Sequence, residues 1–315
     1  MAEQLVELRN VSRWYGEVIG VNRITVTVRP GITGLLGPNG CGKSTMMNLI
    51  AGMMPPSQGE VLVLGRHVWG NPEVMRHVGY CTQVDTFYEK LTGLDFLTSL
   101  LMVRGYSKQK ARAAAENAIA RVNMVPNMHR RIQSYSKGMR QRIKVALSIA
   151  HDPRIVILDE PLDGLDAVGR IEMISLIHEF GREGRNVLIS SHILHEIEAM
   201  TNNILLLNGG YLMAEGDVRE VRGALSRHPH RILIRCADPR HAAMFFISQQ
   251  HIISAKVEEG GSALVLETRD IDKFHESLNR LVLEEHAEVS LVTVADENIS
   301  SIFGYLVGEE HVQPQ

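Results

Sequence analysis

A chain of 315 residues exceeds the usual size of one domain, so a large domain plus a smaller one is expected. An apolar fraction of 44%, a charged fraction of 22% and a formal net charge of −3 describe an ordinary globular protein and exclude a nucleic-acid binder that works by bulk positive charge. No run approaches the 18 apolar residues of a spanning helix and no basic-then-apolar leader opens the chain; the three cysteines, Cys41, Cys81 and Cys236, argue against a disulfide framework and for a reducing compartment.

In chain order, residues 5–9 and 24–28 alternate apolar and polar side chains, as half-buried strands do, with Tyr15-Gly16-Glu17 as a break between them. Residues 31–36 form a short apolar, β-branched run that predicts a buried strand, and residues 46–53 have helical composition. Between them lies Gly37-Pro38-Asn39-Gly40-Cys41-Gly42-Lys43-Ser44-Thr45, which reads G-x-x-x-x-G-K-[ST]. Strand, glycine loop, helix is the context that makes this pattern a phosphate site. Glycines let successive backbone N–H groups face one centre, and a helix N-terminus adds about half a positive charge there. Lys43 is the residue to reach the β- and γ-phosphates, and the Ser44 hydroxyl suits Mg²⁺.

Further on, residues 59–65 predict a strand bounded by glycines, and residues 93–121 are rich in helix formers. The basic run over residues 137–144 reads as a solvated helix face. Residues 154–158 are a continuous apolar run stopped by Asp159-Glu160-Pro161, typical of a strand buried on both faces. Asp159 stands where a phosphate-loop enzyme holds its metal, and Glu160 is expected to point elsewhere by strand alternation, beside the metal and able to polarise water. Without the phosphate loop, the same pair would read as a strand-ending acidic pair in solvent. Residues 170–180 predict a helix, 186–190 a second buried strand, and 204–213 a hairpin about Gly209-Gly210. The alternation of strands and helices predicts an α/β core with a mostly parallel sheet and an attached antiparallel layer. Beyond residue 222 the order changes to β (231–236), α (239–250), β (252–258), β (262–268), α (271–284), β (288–293). That order is the signature of an α+β ferredoxin-like domain, assigned to residues 223–315.

Several ordered motifs in residues 4–222 resemble those of the ATP-binding subunit of ABC transporters. Tyr15 matches the aromatic residue that stacks on adenine in that family, and Gln83 the glutamine that senses the metal and the membrane partner. Tyr135-Ser136-Lys137-Gly138-Met139 occupies the place of the signature segment, usually L-S-G-G-Q; the form here resembles an export-type branch that works with separately encoded permeases. Asp163-Gly164-Leu165-Asp166 is similar to the D-loop and Ser191-His192 to the switch histidine. Alone, Tyr15, Gln83 or His192 would read as ordinary surface or packed residues; their order reverses that. The resemblance implies a P-loop NTPase (RecA-like) core with antiparallel β and helical subdomains. It implies ATP and Mg²⁺ as ligands, Ser44, Asp159 and Gln83 around the metal, Glu160 activating water and His192 steadying the γ-phosphate. Ser136, Gly138 and Asp166 would meet the ATP of a second subunit, so that a homodimer or pseudo-dimer closes on two nucleotides. A separate transmembrane permease would hold the protein at the cytoplasmic face of the membrane, with no nucleic acid among its partners. The alternative within the same family is an ATPase driving a non-transport process at the membrane.

Three other classes lack their marks. A tandem-cassette translation factor needs a second phosphate loop, a chromosome ATPase needs long coiled-coil insertions or a basic groove, and a GTPase needs an N-K-x-D element.

Overall fold

The structure is a computed structural model that describes residues 5–218, 230–258 and 263–294. The boundary expected at residues 222 and 223, and the first residue of the strand expected at 262, lie outside the described residues. The chain divides into two compact units, Met1–Val218 and Arg219–Gln315.

In the first unit, β1 (Val6–Tyr15) and β2 (Val18–Val28) pair antiparallel around a turn at Gly16, whose φ is +62°. Both strands outrun the alternating stretches of the sequence, because register shifts between Leu8 and Trp14 break the period-two pattern without breaking the pairing. After β3 (Ile32–Leu36) comes α1 (Lys43–Ile50), then β4 (Gln58–Val63), β5 (Arg66–His67), α2 (Pro72–Met75) and β6 (Val78–Cys81). The stretch rich in helix formers is two helices, α3 (Gly93–Val103) and α4 (Lys108–Arg121), parted at Gly105 with φ +94°. Next are α5 (Lys137–Ile149), β7 (Ile155–Leu158), α6 (Ala167–Arg182), β8 (Asn186–Ser191), α7 (Leu194–Glu198), β9 (Asn203–Asn208) and β10 (Tyr211–Asp217). Side chains of Thr92, Ser107, Ser136 and Asp166 accept from first-turn N–H groups and so start α3, α4, α5 and α6.

A four-stranded antiparallel sheet has the order β2-β1-β4-β5, and a six-stranded sheet the order β10-β9-β3-β8-β7-β6. In the second, β9, β3, β8, β7 and β6 are mutually parallel and only β10 is antiparallel. Strands β7 and β8 are buried along their whole length, as continuous apolar runs demand. The hairpin β9–β10 turns at Gly209-Gly210, both with positive φ. Helix α1 belongs to one core with residues of both sheets: Met46, Met47, Leu49 and Ile50 are fully buried, while Ser44 stays exposed and Thr45 and Asn48 half-buried.

The second unit orders β11 (His230–Cys236), α8 (Pro239–Ile247), β12 (Ile252–Val257), β13 (Ala263–Thr268), α9 (Ile271–Leu283) and β14 (Val289–Val294). Its sheet runs β12-β13-β11-β14, all antiparallel, the ferredoxin-like arrangement. Phe246 and Phe274, with ring centroids 5.5 Å apart, pack with Ile232, Ile234, Leu264 and Leu266 in its core.

The basic run of α5 is a solvated face only at Lys137. Arg142 reaches Glu172 at 2.5 Å and the Val122 carbonyl at 3.1 Å, and Lys144 reaches Asp85 at 3.0 Å; both are largely buried. Just past α5, His151 donates from Nε2 to the Val78 carbonyl at 3.1 Å, while Nδ1 is buried without a partner. Burial, reinforced by the Arg104 guanidinium, pushes the imidazole down to about 4. The folded value lies below the ordinary value near 6.5, so the stabilisation is complete above that pH and is lost as pH falls toward 4. Its full extent is on the order of 3 kcal/mol. Thermal unfolding at pH 7 and pH 5 is expected to show a drop that His151→Gln makes shallower; equal drops in both proteins would remove His151 as the source.

Candidate functional site

Four neighbouring parallel strands, β3, β8, β7 and β6, end on the same edge of the six-stranded sheet. Their C-terminal ends carry, in that order, the loop of residues 37–45, His192, the pair Asp159-Glu160, and Gln83. This edge is where open parallel sheets hold ligands.

The loop leaves β3 at Gly37, crests at the exposed Asn39 and Gly40, and turns into α1 at Gly42, with Pro38 accepting from the Cys41 N–H. Gly42 has φ +108°, and a Cβ there would drive into the Gly20 carbonyl. No side chain caps α1, in contrast to α3, α4, α5 and α6, so its first-turn N–H groups remain for an anion. Cys41 is buried behind the loop, where burial pushes its thiol up against the opposing pull of Lys43; it fills space and is poorly set to ionise.

Lys43 is buried and its Nζ donates to the carbonyls of Gly37 at 2.8 Å and Pro38 at 3.1 Å, 3.7 Å from Glu160 Oε1. Ser44 Oγ donates to Asp159 Oδ2 at 2.7 Å. The other oxygen of Asp159 accepts from Ser190 Oγ at 2.6 Å, and Ser190 Oγ accepts from the Glu160 N–H at 2.8 Å. The Glu160 carboxylate also receives His192 Nδ1 at 3.1 Å. Lys43, Ser44, Asp159, Glu160 and His192 thus form one connected cluster.

Strand alternation is not what separates Asp159 from Glu160. β7 stops at Leu158, and Glu160 sits in the left-handed region with φ +50°. Its carbonyl accepts from Gln141 Nε2 at 3.2 Å and from the Asp163 N–H at 3.1 Å. That turn, held by its own backbone bonds, sends one carboxylate to Ser44 and the other to Lys43 and His192. Ser190 and Gln141, both buried, belong to no motif of the sequence; the one signal is the Ser190-Ser191-His192 ending of an apolar strand.

The remaining residues lie outside this cluster. Tyr15 is 44% exposed; its hydroxyl lies 3.4 Å from Thr45 Oγ1 and donates to Met54 Sδ at 3.2 Å, with the Arg13 guanidinium 5.3 Å from the ring centre. Gln83 is exposed, and its backbone carbonyl accepts from Lys144 at 2.9 Å. Ser136 caps α5 and Asp166 caps α6, so both have local duties. Gly138 approaches the Gly164 carbonyl closely, and Lys137 lies across Gly164 to pair with Asp163 at 2.9 Å. Residues 137–138 and 163–164 therefore pack on each other, outside the cluster at the phosphate loop.

Residues 21–163 match the family model described as ABC transporter. The chain is 30% identical over 309 residues to the bacitracin transport ATP-binding protein BcrA of Enterococcus faecalis, covering 97% of each chain. A solved structure described as the ATP binding subunit of an ABC transporter superposes with a TM-score of 0.63 at 26% identity, over 70% of this chain and 93% of that one. A dimeric ATP-binding cassette in a post-hydrolysis state with ADP and Pi shares the fold, with a TM-score of 0.62 at 22% identity over 68% of this chain and 99% of that one. The loop, the acidic pair Asp159-Glu160 and His192 stand at one sheet edge, and similarity to a curated relative runs through both units; the chain belongs to the ABC transporter family as an ATP-binding, ATP-hydrolysing subunit of a P-loop NTPase fold that powers membrane transport.

Proposed function

We propose that the cluster at the sheet edge hydrolyses ATP within a head-to-tail pair of cassettes, docked on separate permease subunits of an export-type transporter at the cytoplasmic face of the membrane. The observation that carries this reading is the convergence of Lys43, Ser44, Asp159, Glu160 and His192 from the ends of three adjacent strands. The loop N–H groups and Lys43 would bind the triphosphate, with Tyr15 offering an exposed ring for adenine. Lys43 now donates to two loop carbonyls, which phosphate oxygens would replace with stronger charged acceptors.

The donor set fits Mg²⁺. Ser44 Oγ and the Asp159 carboxylate are hard oxygen donors in contact, and among the described residues no group of three or more His, Cys, Asp or Glu gathers to form a self-sufficient metal cage. Mg²⁺ is characteristically held by one or two protein oxygens plus phosphates and water. Ser44 and Asp159 would hold it, Gln83 would reach it through water, and bound there it would neutralise charge on the phosphates. Glu160 would accept the proton of the attacking water once Lys43 and His192 turn toward the γ-phosphate. Ser136, Gly138 and Asp166 would face the nucleotide of the partner cassette. Residues 1–222 would form the ATP-binding domain and residues 223–315 an accessory domain that modulates closure.

The purified chain is expected to bind ATP in a Mg²⁺-dependent manner and to shift from monomer to dimer with it. Calorimetry with and without EDTA, and gel filtration with ATP, check this; ATP binding without any pairing would sink the composite-site reading.

A further inference from the structure

One buried carboxylate has no part in the scheme above. Glu196 lies in the first turn of α7 and is 7% exposed. A carboxylate so placed costs several kcal/mol unless it is paired and hydrogen-bonded. Both of its oxygens are engaged: Oε1 by Arg170 at 2.6 Å and Oε2 by Ser191 Oγ at 2.7 Å. Ser191 Oγ in turn accepts from the Ile193 N–H at 3.0 Å. Ser191 and Ile193 flank His192, so the backbone on either side of the histidine is anchored to one hydroxyl, and that hydroxyl to Glu196. At the other end, Arg170 Nε donates to the Leu165 carbonyl at 3.4 Å, inside the segment Asp163-Gly164-Leu165-Asp166.

We infer that Glu196 is a positioning residue for His192, linking the histidine's loop through Arg170 to the Leu165 segment. The inference rests on the reading of His192 as the residue that meets the γ-phosphate. His192 itself is half exposed, and its ring is held on one side, through Nδ1, by the Glu160 carboxylate, so the placement of its backbone largely decides where the ring can reach. A five-residue helix with no side-chain cap would hold that backbone weakly. The path Leu165–Arg170–Glu196–Ser191 supplies what the helix lacks. It also gives a displacement of the Leu165 segment a direct route to the histidine, with no long-range wire invoked.

The test is steady-state ATP hydrolysis by the full chain carrying Glu196→Ala, Glu196→Gln, His192→Ala and the double change Glu196→Ala with His192→Ala. Misplacing a group in contact with the reacting phosphate is expected to lower kcat by about 10- to 100-fold. Glu196→Ala should show such a loss with KM for ATP within about twofold of the parent, the unchanged KM also reporting a folded site. Glu196→Gln keeps an acceptor for Ser191 and should recover part of kcat. In the His192→Ala background, removing Glu196 should cost nothing more, because the residue it positions is gone. Losses that add in the double variant would overturn the proposal while leaving the role of His192 standing. A His192→Ala protein that turns over at the parent rate would overturn both.

Discussion

Glutamine in place of Glu160 is expected to lower ATP turnover by about 10²–10⁴-fold, the range for loss of a general base. The substitution removes proton-accepting power with almost no change of shape. The position of residue 160 is set by its main chain, with its N–H on Ser190, its carbonyl on Gln141 and its φ at +50°, so the glutamine amide should occupy the same place. Affinity for ATP should hold or rise. The carboxylate lies 3.7 Å from Lys43 Nζ with both groups buried, and it competes with phosphate for that cation. The expected companion is an ATP-loaded dimer that persists through gel filtration, because closure no longer ends in hydrolysis. Turnover at the parent rate would show that another group takes the proton.

Lys43→Met should fail one step earlier. Methionine preserves the apolar stem in its buried slot but removes the ammonium, whose Nζ is within 3.1 Å of both loop carbonyls. Two charge-assisted hydrogen bonds to phosphate at about 1.5–3 kcal/mol each amount to roughly 10²–10⁴-fold in affinity. The two variants therefore separate: Glu160→Gln binds and stalls, Lys43→Met scarcely binds. Calorimetric titration with Mg·ATP reads the second, and parent-like affinity would move the triphosphate away from this loop.

The hairpin at Gly209-Gly210, the buried strands β7 and β8 and the phosphate loop were legible because each is a local statement about backbone freedom or burial. The α5 run departs from the expected solvated face for the opposite reason. Arg142 and Lys144 look solvent-bound in sequence, yet Glu172 and Asp85, which neutralise them, come from distant segments. Ser190 and Gln141 escaped similarly: a serine or glutamine carries no mark of what it will bond until folding brings Glu160 beside it. The separation of Glu160 from Asp159 has a different geometric cause from the one alternation suggests, since one left-handed residue after β7 replaces a continuing strand.

The amino-acid sequence alone determined the phosphate-loop pattern, since nine consecutive residues carry its glycines, lysine and hydroxyl, and the N–H groups of such a loop act through their own backbone. It also determined the order of the motifs along the chain. Only the tertiary structure decided which of them meet. In sequence the relevant strands run β3, β6, β7, β8; across the sheet they run β3, β8, β7, β6. That lateral order sets Glu160 and His192 against Lys43 and leaves Gln83 at the far strand. It arises from parallel crossovers that bury apolar strands on both faces, a condition met by whole strands packing together and written in no single residue.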